Sequence, residues 1–326
     1  LRYFSIVITT YNRLIFLKRA IASAINQTID CEVVVVDDCS SDGTLEYLKT
    51  FKNKIKWHRN QQNLGHCHSV NIGVAISEGK WIKLLDDDDY LAADCLEKIS
   101  REIEKNPQAV ICSCQAINID EKETKITMTR KVANQINYCV KQEDIHYLML
   151  LDKLPFGTTV QVAFCQDAFR KSGGWNSRFN YLYDDIESWV KISKFGDAIF
   201  INQPLVYRTI WKGGYNQKYS IQARLRYNIL IKEKIYELVN SKYQPQIPSR
   251  LDIGKYLHLY WSLVALKNKK FLAFIKIAFP AIFSLAAWQL IFLRYCPLEK
   301  GSELKFFKGK SLLNSLFFGK KIVILD

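Results

Sequence analysis

The chain alternates short apolar runs with stretches whose apolar residues recur at helical spacing. Phe4-Ser5-Ile6-Val7-Ile8 is a β-rich run, followed by the polar Thr9-Thr10-Tyr11-Asn12-Arg13. Leu17, Ile21, Ala24 and Ile25 come next, three to four residues apart in the main, which predicts an amphipathic helix. Glu32 to Val36 is a second apolar run, ending in Asp37-Asp38-Cys39-Ser40-Ser41-Asp42-Gly43. Ser41 or Asp42 can cap the following helix, with Leu45 and Leu48 on its inner face. Ile55 to His58 predicts a short third strand, and Ile72, Ala75 and Ile76 another helix. Trp81 to Leu85 predicts a buried strand that ends in Asp86-Asp87-Asp88-Asp89. Leu96, Ile99 and Ile103 then mark a helix, and Ala109 to Cys114 a strand. Such alternation predicts a mostly parallel sheet with helices on both faces. Ligands of such sheets bind beyond the carboxyl ends of the strands. The polar clusters at 9–13, 37–41 and 86–89 all follow strands, so they are expected to converge on one edge.

Further along the pattern is sparser. Glu121 to Lys125 reads as a charged turn between strands, and 131–154 as a loop and helix near a second substrate, with His146 structural or on the surface. Val160 to Phe164 predicts a strand, and 168–175 a short helix ending at Gly173 and Gly174. Tyr181 to Val190 opens a further helix, and Asp197 to Ile201 is a strand. From Tyr219 onward Ile221, Leu225, Ile229, Ile235 and Leu238 suggest helices rich in Arg and Lys.

Composition narrows the function classes. The 326 residues are 48% hydrophobic, enough for a substantial core, and carry a net charge of +14 that suits a polyanionic partner such as nucleic acid or anionic lipid. Nine cysteines at irregular positions form no disulfide framework and are expected as reduced thiols. Cys112 and Cys114 are placed on one face of a strand, and neither they nor His66-Cys67-His68 have the two-pair spacing of a zinc site. Leu1-Arg2-Tyr3-Phe4 runs directly into a strand, so no secretory signal is expected there. The most apolar segment, Phe271 to Tyr295, is broken by Lys276, Pro280, Gln289 and Arg294 and is not a clean membrane span.

The chemistry centres on the four consecutive acids. Buried without counter-charge they repel one another, and a divalent cation with phosphate ligands resolves that repulsion. The alternative is a solvated acidic loop. Neither G-x-G-x-x-G nor G-x-x-x-x-G-K-[ST] occurs, which removes most support for dehydrogenase and P-loop readings.

Five segments together resemble family 2 glycosyltransferases of the GT-A fold. They are Ser5 to Arg13, Val33 to Thr44, Asn63-Leu64-Gly65, Asn71-Ile72-Gly73 and Leu85 to Asp89, in family order and spacing. The resemblance implies an α/β fold: a Rossmann-like, nucleotide-binding mixed sheet flanked by helices. It implies a UDP-sugar donor, with Tyr11 against the uracil, Thr9 lining the same pocket, Asp37 accepting from the uracil N3–H and Asp38 alongside. Asp86 and Asp88 match the D-x-D motif that holds ribose and a bridging Mn²⁺ or Mg²⁺, supported by Asp89. Arg13, Asn63, Gly65 and Asp87 complete the implied donor set. Gly173-Gly174-Trp175 and Asp184-Asp185-Ile186-Glu187-Ser188-Trp189 resemble the family's acceptor-side motifs, with Asp185 at the general-base position. There, it would take the acceptor's proton as that oxygen attacks C1 of the sugar, inverting the anomeric centre. Three positions depart from the pattern: Val70 stands for a basic residue, Asp184 for Glu, and Ile210-Trp211 for a segment ending in His. Arg208 or Lys212 is then the expected diphosphate contact.

The resemblance places a catalytic domain at 1–215, with a donor half to 115 and an acceptor half from 116, and a helical basic, aromatic extension at 216–326. Residues 250–326 hold 13 Lys or Arg against 4 Asp or Glu, with Phe and Trp interleaved. That combination suits an anionic membrane interface, with an ordinary packed appendage or a homodimer contact as alternatives. The expected function is transfer of one hexose or N-acetylhexosamine to a glycan or lipid-linked acceptor in bacterial surface polysaccharide synthesis, at the cytoplasmic face of the inner membrane. The alternatives are a non-catalytic scaffold of the same fold, or a basic nucleic-acid-binding protein. The acidic edge weighs against nucleic acid as a partner.

Overall fold

The structure is a computed structural model that describes residues 3–132, 137–179, 182–211, 219–279 and 281–295. Lys212, Pro280 and the tail 296–326, including Phe306, Phe307, Phe317 and Phe318, lie outside the described residues.

The first half is built as the alternation predicts. Strands β1 (Phe4–Thr10), β2 (Glu32–Asp37), β3 (Lys56–Arg59) and β4 (Trp81–Asp86) alternate with helices α1 (Leu14–Ile25), α2 (Thr44–Lys49) and α3 (His66–Ile76). A two-residue strand β5 (Tyr90–Leu91), helix α4 (Cys95–Lys105) and strand β6 (Ala109–Ile119) follow. The chain then adds β7 (Lys125–Met128), β8 (Asn137–Val140), α5 (Gln142–Leu150), β9 (Val162–Cys165), α6 (Gln166–Lys171), α7 (Asp184–Ile192) and β10 (Asp197–Thr209). Four more helices are α8 (Ile221–Leu238), α9 (Arg250–Lys267), α10 (Phe271–Ala278) and α11 (Leu285–Tyr295).

The strands form one sheet in the order β3-β2-β1-β4-β9-β6-β10-β5, with β7 on β6 and β8 on β10. β3, β2, β1 and β4 run parallel, whereas β9 runs against both β4 and β6. The sheet is therefore mixed, as in the GT-A fold. The two-residue side-chain period sorts its residues between two cores. Phe4, Ile6, Ile8, Val33 and Val35 face α1, α2 and α4, while Val7 and Val34 face α3 and the later helices. Cys112 and Cys114 both fall in the first of these cores, on one face of β6 as expected. His146 is buried and its Nε2 lies 3.0 Å from the Val190 carbonyl, a structural contact.

The helices from α8 onward share the second core with the sheet. They are also pinned through one acid. Asp152, in a left-handed conformation, accepts from Lys232 of α8 (2.7 Å), Arg294 of α11 (2.5 Å) and the Tyr256 hydroxyl of α9. Among the described residues no helix is long and apolar enough to cross a membrane.

Candidate active site

Three strand ends form one wall of a cleft of about 720 Å³. In register, Thr9 of β1 lies beside Val36 of β2 and Asp86 of β4, and Thr10 lies beside Asp37. Parallel strands hand their loops to the same edge, so the clusters after β1, β2 and β4 meet there. Thr9, Tyr11, Arg13, Asp38, Asn63, Gly65 and all four acids of 86–89 line the cleft, as does Asp185. Tyr11 is 46% exposed, an aromatic ring open to a stacking partner.

Asp37 is the exception: it does not line the cleft. Its side chain is fully buried, with Oδ2 2.7 Å from Arg59 Nη1 and Oδ1 accepting the Ser40 N–H at 2.9 Å. The last residue of β2 still points into the layer beneath the edge, and the carboxylate serves to anchor the turn that follows. Asp38, one residue on, reaches the cleft. Its oxygens accept from the Leu64 and Gly65 N–H groups (both 2.8 Å) and from Asn60 Nδ2 (2.7 Å). Gly65 takes φ +86°, a region open to glycine at no steric cost, and so lets both amides turn to Asp38 as α3 begins.

The four acids are sorted by their partners. Asp87 is buried and accepts from Thr10 Oγ1 (2.8 Å) and Arg13 Nη1 (2.9 Å), so it orients Arg13. Asp89 is buried and accepts the Thr209 N–H at 2.8 Å, tying the acids to the end of β10. Asp88 accepts from Trp211 Nε1 at 2.8 Å, and Trp211 packs under the Arg13 guanidinium, 5.2 Å from the ring centre. Arg19 Nη2 donates to the Asp88 carbonyl and to Thr209 Oγ1, each at 2.7 Å. Burial, then the neighbouring charges, pushes Asp87 up to about 7 and raises Asp88 and Asp89 above the ordinary carboxylate range. Arg13 does not cancel that charge.

Another part of the cleft lining comes from the start of α7. Tyr183 enters it in a left-handed conformation (φ +63°), uncommon for a bulky residue. Asp184 and Asp185 then fill its first turn, where a helix N-terminus favours negative charge. Asp185 is half-buried and, among the described residues, accepts only a backbone N–H, that of Ile186, at 2.7 Å. Burial and the adjacent Asp184 push its carboxyl up to about 7. This segment is clipped to α3: Asn71 Nδ2 donates to the Trp175 carbonyl and Asn71 Oδ1 accepts its N–H, both at 2.9 Å. A Cβ on Gly174 would stand 2.8 Å from Asn71 Oδ1, so the glycine is needed for that close approach.

His66 joins the two sides. Its Nε2 is 3.4 Å from Asp86 Oδ1 and its Nδ1 3.4 Å from Asp184 Oδ2. Burial alone would lower the imidazole, but the hydrogen bonds and charges of Asp184 and Asp86 outweigh it and hold His66 well above its ordinary value. The sequence reading assigned no role to His66, Thr10 or Arg19. It took Trp211 only as a replaced histidine. Position along the chain carries no signal for His66, because its partners are 20 and 118 residues away.

No group of three or more His, Cys, Asp or Glu side chains among the described residues is arranged to hold a metal. Asp86 and Asp88 nonetheless fit a cation completed by substrate oxygens. Both offer hard oxygen donors at the cleft, beside acids whose raised proton affinity marks uncompensated negative charge. Mg²⁺ and Mn²⁺ are commonly held in this way, by one or two carboxylates plus phosphates.

Residues 5–173 match the family described as glycosyl transferase family 2. The chain belongs to that family. An uncharacterized glycosyltransferase of Haemophilus influenzae is 28% identical over 208 residues, 63% of this chain and 67% of that protein. Chondroitin synthase of Escherichia coli is 28% identical over 258 residues, 77% of this chain but only 33% of the synthase. In structure the chain is similar to residues 1–349 of TarS of S. aureus in complex with UDP-GlcNAc, with a TM-score of 0.58 at 13% identity. That match covers 85% of this chain and 90% of the other. The likeness at this identity is one of fold.

Proposed function

We propose that the protein is an inverting glycosyltransferase. It moves a hexose or N-acetylhexosamine from a UDP-sugar to a hydroxyl of a glycan or lipid-linked acceptor, in bacterial surface polysaccharide synthesis. The observation that carries this reading is the pairing, in one cleft, of the donor-side acids Asp86 and Asp88 with an acceptor-side carboxylate, Asp185, pushed up to about 7. A general base works best with a pKa near the operating pH. The family supports the reaction class. TarS with UDP-GlcNAc supports a UDP donor, and chondroitin synthase supports a polysaccharide product.

Each residue then has a task. Tyr11 offers its ring to the base, and Asp38 shapes the pocket floor by holding the 64–65 turn. Asp86 and Asp88 would hold a Mn²⁺ or Mg²⁺ ion, which would offset the charge on the departing diphosphate. Arg208, also in the cleft, faces the same charge. Asp185 accepts the acceptor hydroxyl's proton as that oxygen bonds to C1. The bond from C1 to the diphosphate oxygen breaks on the opposite side, and UDP leaves. One displacement inverts C1, so an α-linked donor yields a β-glycoside.

The test is calorimetric titration of UDP and GDP into the protein with and without Mn²⁺, repeated on Asp88→Asn. Metal-dependent UDP binding that is lost in Asp88→Asn supports the assignment. Absence of UDP binding under every metal condition overturns the UDP donor, and GDP binding in its place redirects the search to GDP-sugars.

A further inference from the structure

The α10–α11 hairpin carries more apolar surface than the other described residues cover. A helix that is apolar all round is normally buried, either in a core or in lipid. In α10 one face does pack inward, with Ile277 and Ala278 buried and Ala273 and Phe274 against the core. The opposite face, Phe271, Leu272, Ile275 and Phe279, is exposed, with Phe279 at 82%. In α11, Ala287 and Leu290 are buried, while Leu285, Trp288 and Phe292 are exposed, and Phe283 between the helices is 90% exposed. Large aromatic and aliphatic side chains thus form a contiguous stretch along the chain, and such exposed patches mark interaction surfaces.

Charge selects the occupant. Exposed Lys267, Lys269, Lys270 and Lys276 border the apolar face, and no Asp or Glu occurs anywhere from residue 253 to 295. A second copy seated on this face would set lysine against lysine. An anionic lipid surface would meet both features at once. The helices have 8 and 11 residues, against about 20 needed to span a bilayer, so they suit a seat in the interface plane. Arg294 of α11 is fixed to Asp152 at 2.5 Å, so the hairpin is held to the catalytic body.

We propose that the exposed face of α10 and α11, from Phe271 to Phe292, docks the protein on an anionic bilayer. The aromatic side chains enter the headgroup boundary, and the lysines neutralise lipid phosphates. The inference does not depend on the identity of the donor sugar.

The test is co-sedimentation of the full chain with vesicles of phosphatidylcholine alone or enriched in phosphatidylglycerol. Two exposed-site variants, Phe279→Asp/Phe283→Asp and Lys269→Glu/Lys270→Glu, are compared after thermal melts confirm that both fold. Binding is expected only with phosphatidylglycerol, weakening as salt is raised. Removing two lysines alone is expected to weaken it roughly 25-fold, and Lys269→Glu/Lys270→Glu, which also adds two acids, by more than that. Brominated lipid should quench fluorescence of the wild type more than that of Trp288→Phe. Equal binding by wild type and both variants, or no binding to phosphatidylglycerol vesicles at low salt, overturns the proposal. A concentration-dependent dimer that Phe279→Asp/Phe283→Asp abolishes, without vesicle binding, also overturns it in favour of a second copy.

Discussion

Two aspartate doublets each send a carboxylate to this cleft, and they differ in the partners they meet. Asp37-Asp38 closes β2, and its carboxylates are met by strong donors: Arg59 and the Ser40 amide on one, Asn60 and two loop amides on the other. Asp184-Asp185 opens α7, and Asp185 receives one backbone amide and stands beside a like charge. On the proposed function the same dipeptide is structural in one place and reactive in the other. What separates them is the supply of donors: Asp37 and Asp38 each meet two or more, whereas Asp185, desolvated beside Asp184, is pushed up to about 7.

The largest expected effect breaks the reactive doublet. Asp185→Asn keeps the shape and removes the base, and transfer is expected to fall by about 10³-fold while donor binding is unchanged. Single-turnover transfer and calorimetric donor affinity measure the two separately. Asp184→Asn is the control. If it abolishes transfer and Asp185→Asn does not, the base is Asp184. The structural doublet responds differently. Arg59→Ala leaves Asp37 buried with one charged partner removed, and the expected cost is about 2 kcal/mol, read as a lowered urea midpoint. Transfer per folded molecule should change little.

The pH profile sharpens the contrast. Asp185 is raised to about 7, so it is protonated below that pH and cannot accept a proton. The value of kcat/KM for transfer is expected to rise about tenfold per pH unit up to about 7 and then level off. A profile flat from pH 5 to 8 would remove Asp185 from the rate-limiting proton transfer.

Much of this was legible in the chain. Strands β1 to β4 and the helices between them follow from periodicity alone, and the convergence of 9–13, 37–41 and 86–89 follows from parallel order. The direction of β9 was not legible, because an apolar run signals a strand without giving its sense. Which of Asp37 and Asp38 reaches the cleft was not legible either: both are buried, but Asp38 lines the cleft while Asp37 turns to Arg59. His66 and Arg19 act through partners distant in sequence, which no local pattern encodes. Trp211 was visible as a departure from the family pattern, yet its indole N–H on Asp88 needed the end of β10 to be placed beside β4.

The smallest effect concerns how the reactive doublet is held. Asn71 exchanges two hydrogen bonds with the backbone of Trp175, and Trp175 stacks edge-on against His66 with ring centres 5.1 Å apart. His66 in turn lies 3.4 Å from Asp184. Asn71→Ala removes both bonds from a half-buried pair and is expected to cost about 1 kcal/mol of stability. If the clip also positions α7 against α3, KM for the acceptor should rise severalfold while donor affinity holds. An unchanged acceptor KM with the same loss of stability would make the clip a packing device and leave Tyr183, in its left-handed conformation, as the feature that aims Asp185.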